Sequence, residues 1–141
     1  MGISLTPEEK LEVFGDFDPD SHAVEAQERW GDTDAYRESQ RRVATSRKED
    51  WARQKAEGAA INKLLARALA SGLPADDPEA MDAAEAHRRM IGEWFYPCSL
   101  EMHLDLAEMY ISDPRFTANY EKVAPGLAQY VHDAIVANSK R

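Results

Sequence analysis

Apolar positions recur along this chain at helical spacing, and the segments that carry them are bounded by helix start and stop signals. Thr6-Pro7-Glu8-Glu9 supplies an N-cap threonine, a proline in the first turn and a glutamate that can close a capping box. The helix it opens carries Leu11 and Phe14 and stops near Gly15. A second runs from Asp20 or Ser21 to Trp30, and Asp32-Thr33-Asp34 caps a third through Tyr36 and Val43. Ser46-Arg47-Lys48-Glu49 reads as another capping box and opens a long helix from about Arg47 to Ala70. Its apolar stripe is Trp51, Ile61, Leu64, Leu65, Ala68 and Leu69, with Gly72 and Pro74 as its stop. Helix resumes at Asp77-Pro78, with Met81, Ala84, Met90, Ile91 and Trp94 as inward positions, and breaks at Pro97. Ser99 caps a helix through Leu100, His103, Leu104, Leu106 and Met109. Asp113-Pro114 and Pro125 open two more, with Phe116 and Tyr120, then Leu127, Tyr130, Val131 and Ile135. No segment alternates at period two for long enough to be a strand, so the expected fold class is all-α.

The pattern divides the chain. From 46 to 141 the helices are long enough and apolar enough to bury one another. Residues 1–45 give three short helices, each below the roughly 12–15 residues at which an isolated helix becomes marginal. They carry Phe14, Phe17, Val24, Trp30 and Tyr36 among many charges, and are read as a conditional segment that folds when an apolar surface is offered to it.

Composition narrows the function. At 141 residues the chain fits one domain, and its 26 acidic against 17 basic residues give a formal charge of −9. Nucleic-acid binding takes its affinity from cations laid on phosphates, so direct DNA binding by this chain is not expected. An anionic membrane surface is excluded on the same ground. No apolar run reaches the roughly 20 residues of a membrane span, and Met1–Lys10 has no secretory h-region, so a cytoplasmic protein is expected. The single cysteine, Cys98, cannot form an internal disulfide.

The chemically interesting side chains concentrate between His87 and Tyr110. A metal site from His87, Cys98, His103 and Asp105 lacks zinc-type spacing, and His103 and Asp105 point to different helix faces, so no metal is expected. Cys98 beside a helix N-terminus, with His103 as base, is a thiol-catalysis alternative, set against burial of the thiol as a small hydrophobe. An apolar cleft lined by aromatics and methionines is a third reading, with plain core as its competitor. A planar cofactor such as haem on His87 is a fourth, and none is expected. His22 and His132 read as surface residues; Arg41 and Arg42, with Arg47 and Lys48, read as a solvated face.

A resemblance adds a specific expectation. Met1-Gly2-Ile3-Ser4-Leu5-Thr6-Pro7-Glu8-Glu9-Lys10, Val13-Phe14-Gly15-Asp16-Phe17-Asp18-Pro19, Glu28-Arg29-Trp30-Gly31 and Thr33-Asp34-Ala35-Tyr36-Arg37 resemble the TipAS antibiotic-recognition family. Lys48-Glu49-Asp50-Trp51, Met81-Asp82-Ala83-Ala84-Glu85, His87-Arg88, Glu101-Met102-His103, Glu108-Met109-Tyr110 and Pro125-Gly126-Leu127 continue it in one register. The resemblance implies a globin-like helical domain whose N-terminal segment closes as a ligand-dependent lid over a bound thiopeptide antibiotic. It implies no enzyme, either drug sequestration or an effector role in a MerR-type transcriptional regulator, and DNA contact only through a MerR-type region outside this sequence. The expected ligand-binding residues are Phe14, Phe17, Trp30 and Tyr36 from the lid, and His87, Met90, Ile91, Trp94, Met102, His103, Asp105 and Tyr110 from the cleft. The family's drug-attaching cysteine falls seven residues after Cys98, where this chain has Asp105. A carboxylate is a poor substitute for sulfur in addition to dehydroalanine, so reversible binding is expected, with Cys98 as the alternative thiol site.

Overall fold

A computed structural model describes residues 5–9, 31 and 33–141. Its helices are α1 (Asp34–Thr45), α2 (Lys48–Ala70), α3 (Pro78–Trp94), α4 (Leu100–Ser112), α5 (Pro114–Glu121) and α6 (Leu127–Ser139), and no strand occurs among the described residues. The rest of the expected first helix, through Leu11 and Phe14 to Gly15, and the expected helix from Asp20 or Ser21 to Trp30 lie outside them. The first helical turn, at 7–9, is held by the expected capping box: Thr6 N donates to Glu9 Oε1 at 3.0 Å and Glu9 N to Thr6 Oγ1 at 3.1 Å.

Local chemistry sets most of the boundaries. Tyr36 N donates to Thr33 Oγ1, Met102 N to Ser99 Oγ and Arg115 N to Asp113 Oδ1, at 3.1, 3.1 and 3.0 Å, so each oxygen satisfies an amide that the first turn leaves unpaired. Gly72, with φ of 77°, ends α2: its N–H reaches Leu69 O at 3.0 Å and Leu73 N reaches Ala68 O at 3.1 Å, the paired bonds of a Schellman ending. Two starts differ from expectation. Ser46 does not cap α2; its hydroxyl donates back to Arg42 O, and Asp50 Oδ2 instead accepts from Arg47 N at 3.0 Å. Pro125 does not open α6, which begins after Gly126. Glu121 caps it, accepting from Gly126 N at 2.9 Å and Ala128 N at 3.1 Å.

The chain groups into two compact units. The first contains residues 1–57 and 91–97. Here Trp51 and Ile91 are buried, and Arg42 Nη1 donates to Gly92 O at 2.5 Å and Glu93 O at 3.3 Å, at the end of α3. Arg42 is therefore no solvated residue: its guanidinium meets carbonyls that the ending helix leaves unpaired and complements the negative end of the helix dipole.

The second unit contains residues 58–90 and 98–141. Its core is Ile61, Leu65 and Ala68 of α2, Ala80, Ala83 and Ala84 of α3, Ala107 and Tyr110 of α4, Tyr120 of α5, and Leu127, Val131, Ala134 and Ile135 of α6. α4 packs along α6 and α5 lies against both; fully buried Ala107 and Ala134 let α4 and α6 approach closely. Leu64 and Leu100, expected inward, are 45% and 41% exposed, because the buried stripes run through Ile61, Leu65 and Ala68 and through His103, Ala107 and Tyr110. His132, expected at the surface, is largely covered and joins the two helices, with Nε2 2.9 Å from Glu108 Oε1 and Nδ1 2.9 Å from Asp133 Oδ1. Burial opposes its charge, but the two carboxylates outweigh it and raise its pKa.

Candidate functional site

α3 and α4 bring the chemically interesting residues of the second unit together. His87 is two turns before the end of α3 and His103 is in the first turn of α4, set by the Ser99 cap. Their rings meet edge to edge, with His87 Nδ1 2.9 Å from His103 Nε2 and centroids 5.2 Å apart. One nitrogen of that contact donates and the other accepts, so the pair holds one proton between the rings in its neutral form. Both rings are buried, His103 at 1% exposure, and His103 Nδ1 has no partner among the described residues. Burial lowers the pKa of His87 to about 4. Burial also lowers that of His103, to about 3, helped by the neighbouring His87 and Arg88 charges. Tyr110 packs against His87 with centroids 6.0 Å apart and rings at 67°, and its other neighbours are Tyr120 at 5.1 Å and Phe116 at 6.0 Å.

A charged network braces this pair. Glu85 accepts from Arg88 Nε and Nη2 at 2.9 and 2.6 Å, from Arg89 Nε at 3.0 Å and from Asn138 Nδ2 at 3.0 Å. The Arg88 hydrogen bonds outweigh partial burial and, with Asn138 and Arg89, hold the Glu85 carboxyl at about 2. Arg88 Nη1 also donates to Cys98 O at 2.6 Å, tying the turn before α4 back to α3. The sequence reading singled out neither Glu85 nor Asn138 as functional. The Glu85–Arg88 spacing of one helical turn was a visible signal; the reach to Asn138, 53 residues on, was not.

The other expected residues belong to both units. Cys98 is buried, and Met90 and Met102 are half-buried. Asp105 is exposed on α4. In the first unit Ile91 is buried, Tyr36 and Trp94 are half-buried, and Trp94 Nε1 donates to Glu57 Oε2 at 2.9 Å with the Arg53 guanidinium 5.0 Å from its ring centre. Phe14, Phe17 and Trp30 lie outside the described residues. Burial raises the Cys98 pKa despite nearby Arg88, and the sulfur is 3.7 Å from Ser99 O. His103, the base of the thiol alternative, is engaged at Nε2 by His87. Among the described residues no cluster of three or more His, Cys, Asp or Glu could hold a metal, and no helix is long and apolar enough to cross a membrane. An open groove of about 470 Å³, lined by Met81, Val136, Ala137 and four charged residues, contains none of the expected site residues.

Residues 22–138 match the TipAS antibiotic-recognition domain. The chain is 53% identical to the HTH-type transcriptional activator TipA of Streptomyces coelicolor over all 141 of its residues and 56% of that protein. It is 32% identical over 136 residues to the HTH-type transcriptional regulator SkgA of Caulobacter vibrioides, covering 89% of this chain and 51% of that one. The chain thus spans about half the length of these curated relatives. Among solved structures, TipAS of Streptomyces lividans in complex with nosiheptide matches with a TM-score of 0.91 and 53% identity, covering 99% of this chain and 98% of that one. The antibiotic-binding domain of a TipA-class multidrug resistance transcriptional regulator matches with a TM-score of 0.60 and 46% identity, over 64% of this chain and 97% of that one. The all-α, globin-like expectation is met by the first of these.

Proposed function

The chain belongs to the TipAS antibiotic-recognition family, and we propose that it binds thiopeptide antibiotics as a non-enzymatic, cytoplasmic recognition domain. The observation that carries the proposal is the match, over nearly the whole chain, to TipAS in complex with nosiheptide. The domain either sequesters drug or serves as the effector part of a MerR-type regulator, whose other half would contact DNA. The residues proposed to contact drug are His87, Met90, Ile91, Trp94, Met102, His103, Asp105 and Tyr110, with Phe14, Phe17, Trp30 and Tyr36 supplied by the N-terminal segment.

Two features favour reversible binding. Cys98 is a buried thiol of raised pKa, and Asp105 offers a carboxylate where the family's attaching sulfur is expected. The driving force is apolar burial, about 25 cal/mol per Å², against an ordering cost of about 2–5 kcal/mol for residues that fold on binding. That ordering is assigned to residues 1–45, on the shortness and high charge of their helical segments. In a full regulator it would be the signal that drug is bound.

The proposal is tested by adding nosiheptide while following far-UV circular dichroism. Helicity is expected to rise and saturate at one drug per chain. A spectrum that stays flat although calorimetry shows binding would remove the lid; no binding heat would remove thiopeptide recognition itself.

A further inference from the structure

The buried face of α2 is interrupted at its middle. Trp51, Ile61, Leu65 and Ala68 are its buried positions, and helical spacing puts Gly58 among them, seven residues after Trp51 and three and seven before Ile61 and Leu65. Glycine is a poor helix-interior residue, since it gives up more backbone entropy than any other on folding. Nothing in the backbone requires it: the glycines with positive φ are Gly72 and Gly126. Nothing in the packing of the described residues requires it either. Among the described residues, a Cβ at Gly58 would meet only Met90 Cε and Sδ, both at 3.9 Å, which is ordinary van der Waals contact. What the glycine provides, among the described residues, is room for a side-chain carbon against the thioether of Met90. That thioether is only half-buried, and it is unbranched and able to repack.

We propose that Gly58 is a specificity-determining residue of the drug site: the side-chain-free position in α2 and the movable Met90 thioether beside it in α3 together seat part of the thiopeptide macrocycle that a larger residue would exclude. The inference rests on the thiopeptide-binding reading above. It separates the two roles a residue in this helix can have. Filling the position strengthens the helix and takes volume from the ligand, so stability and affinity must move in opposite directions. A residue with only a structural role moves both the same way or leaves binding alone.

The test titrates nosiheptide into the whole chain and its variants. Gly58→Ala is expected to raise Tm by about 3 °C and to raise Kd roughly 10-fold, the low end of what one methyl group costs in an apolar site. Gly58→Leu is expected to raise Kd by about 100-fold with unchanged helicity, and adding Met90→Ala to it should recover roughly 10-fold by returning the volume. Binding by both single variants within about two-fold of the unsubstituted chain would overturn the proposal, as would failure of Met90→Ala to recover any affinity. If Gly58→Leu does not fold, Gly58→Ala decides alone by the opposite signs of its two readouts. If the unsubstituted chain takes no nosiheptide, the underlying reading falls and this inference with it; if it binds and the variants bind equally, only the role of Gly58 falls.

Discussion

Lowering the pH from 7 to 4 is expected to cost the fold several kcal/mol, about 3 kcal/mol from each of His87 and His103. Both rings are buried neutral, with pKa values of about 4 and about 3 against an ordinary 6.5. Above pH 6.5 each is neutral whether the chain is folded or not, and the pair adds no pH dependence. Below it the unfolded chain takes up protons that the folded one refuses, so stability falls progressively until the pH passes the folded values. Protonation of both rings would also destroy the 2.9 Å hydrogen bond, since neither facing nitrogen could then accept. His132 has the opposite sign. Its pKa is raised by Glu108 and Asp133, so its contribution is complete below 6.5 and fades as the pH rises through its folded value. Urea denaturation across pH 4–8 should therefore show greatest stability near neutrality. His103→Leu should flatten the acid limb and His132→Gln the alkaline one. An acid limb unchanged in His103→Leu would show that the pair does not control it.

Replacing Glu85 by alanine is expected to destabilise the protein by about 2–3 kcal/mol, less than its full pKa shift implies because solvent still reaches the carboxylate. The substitution removes the acceptor of four hydrogen bonds from three residues at once. Arg88 loses both of its carboxylate bonds, Arg89 loses its one, and Asn138, which is 5% exposed, loses the acceptor for its amide. A charged guanidinium left half-buried without its partner costs more than the pair itself contributed. Glu85→Gln, which keeps the shape and one acceptor, should lose less. The Glu85 contribution is present above pH 4.5 and disappears as the pH falls toward its folded value of about 2, a window that overlaps only the lower end of the one in which the histidines act. Because Arg88 also holds Cys98 O, the variant should loosen the turn that sets the start of α4, and with it the position of His103. Chemical denaturation of Glu85→Ala, Arg88→Met and the double variant measures the coupling directly. Losses that simply add would mean that the two residues do not act as a unit.

What the sequence made readable was local. Thr33, Ser99 and Asp113 cap helices, and Gly72 ends one, through bonds that span two to five residues, which a reader of the chain can count. The errors came where distant residues or small side chains decide. Glu121 replaces Pro125 as the organiser of α6 because the turn between them folds back. Arg42 leaves solvent for the end of α3, which is 50 residues away in sequence. Hydrophobic periodicity favoured Leu64 and Leu100 over Ala80, Ala83, Ala107 and Ala134, because large apolar residues dominate such a pattern. Close-packed helices instead select small residues at their contact line. His87 and His103 were both picked out as candidates, yet their pairing depends on two helices meeting, as does the Glu57–Trp94 bond. The ligand class came from the resemblance and not from spacing or composition.

The central claim, reversible recognition of a thiopeptide, is tested most directly by titrating the chain with nosiheptide while recording tryptophan emission and intact mass on the same samples. Trp94, hydrogen-bonded to Glu57 beneath the Arg53 guanidinium, is among the proposed contacts and should report occupancy. The account predicts a saturable emission change at one drug per chain with the protein mass unaltered. A mass increase equal to the drug would contradict reversibility and point to Cys98 or another nucleophile. An emission signal that never saturates, with no change in mass, would contradict recognition itself.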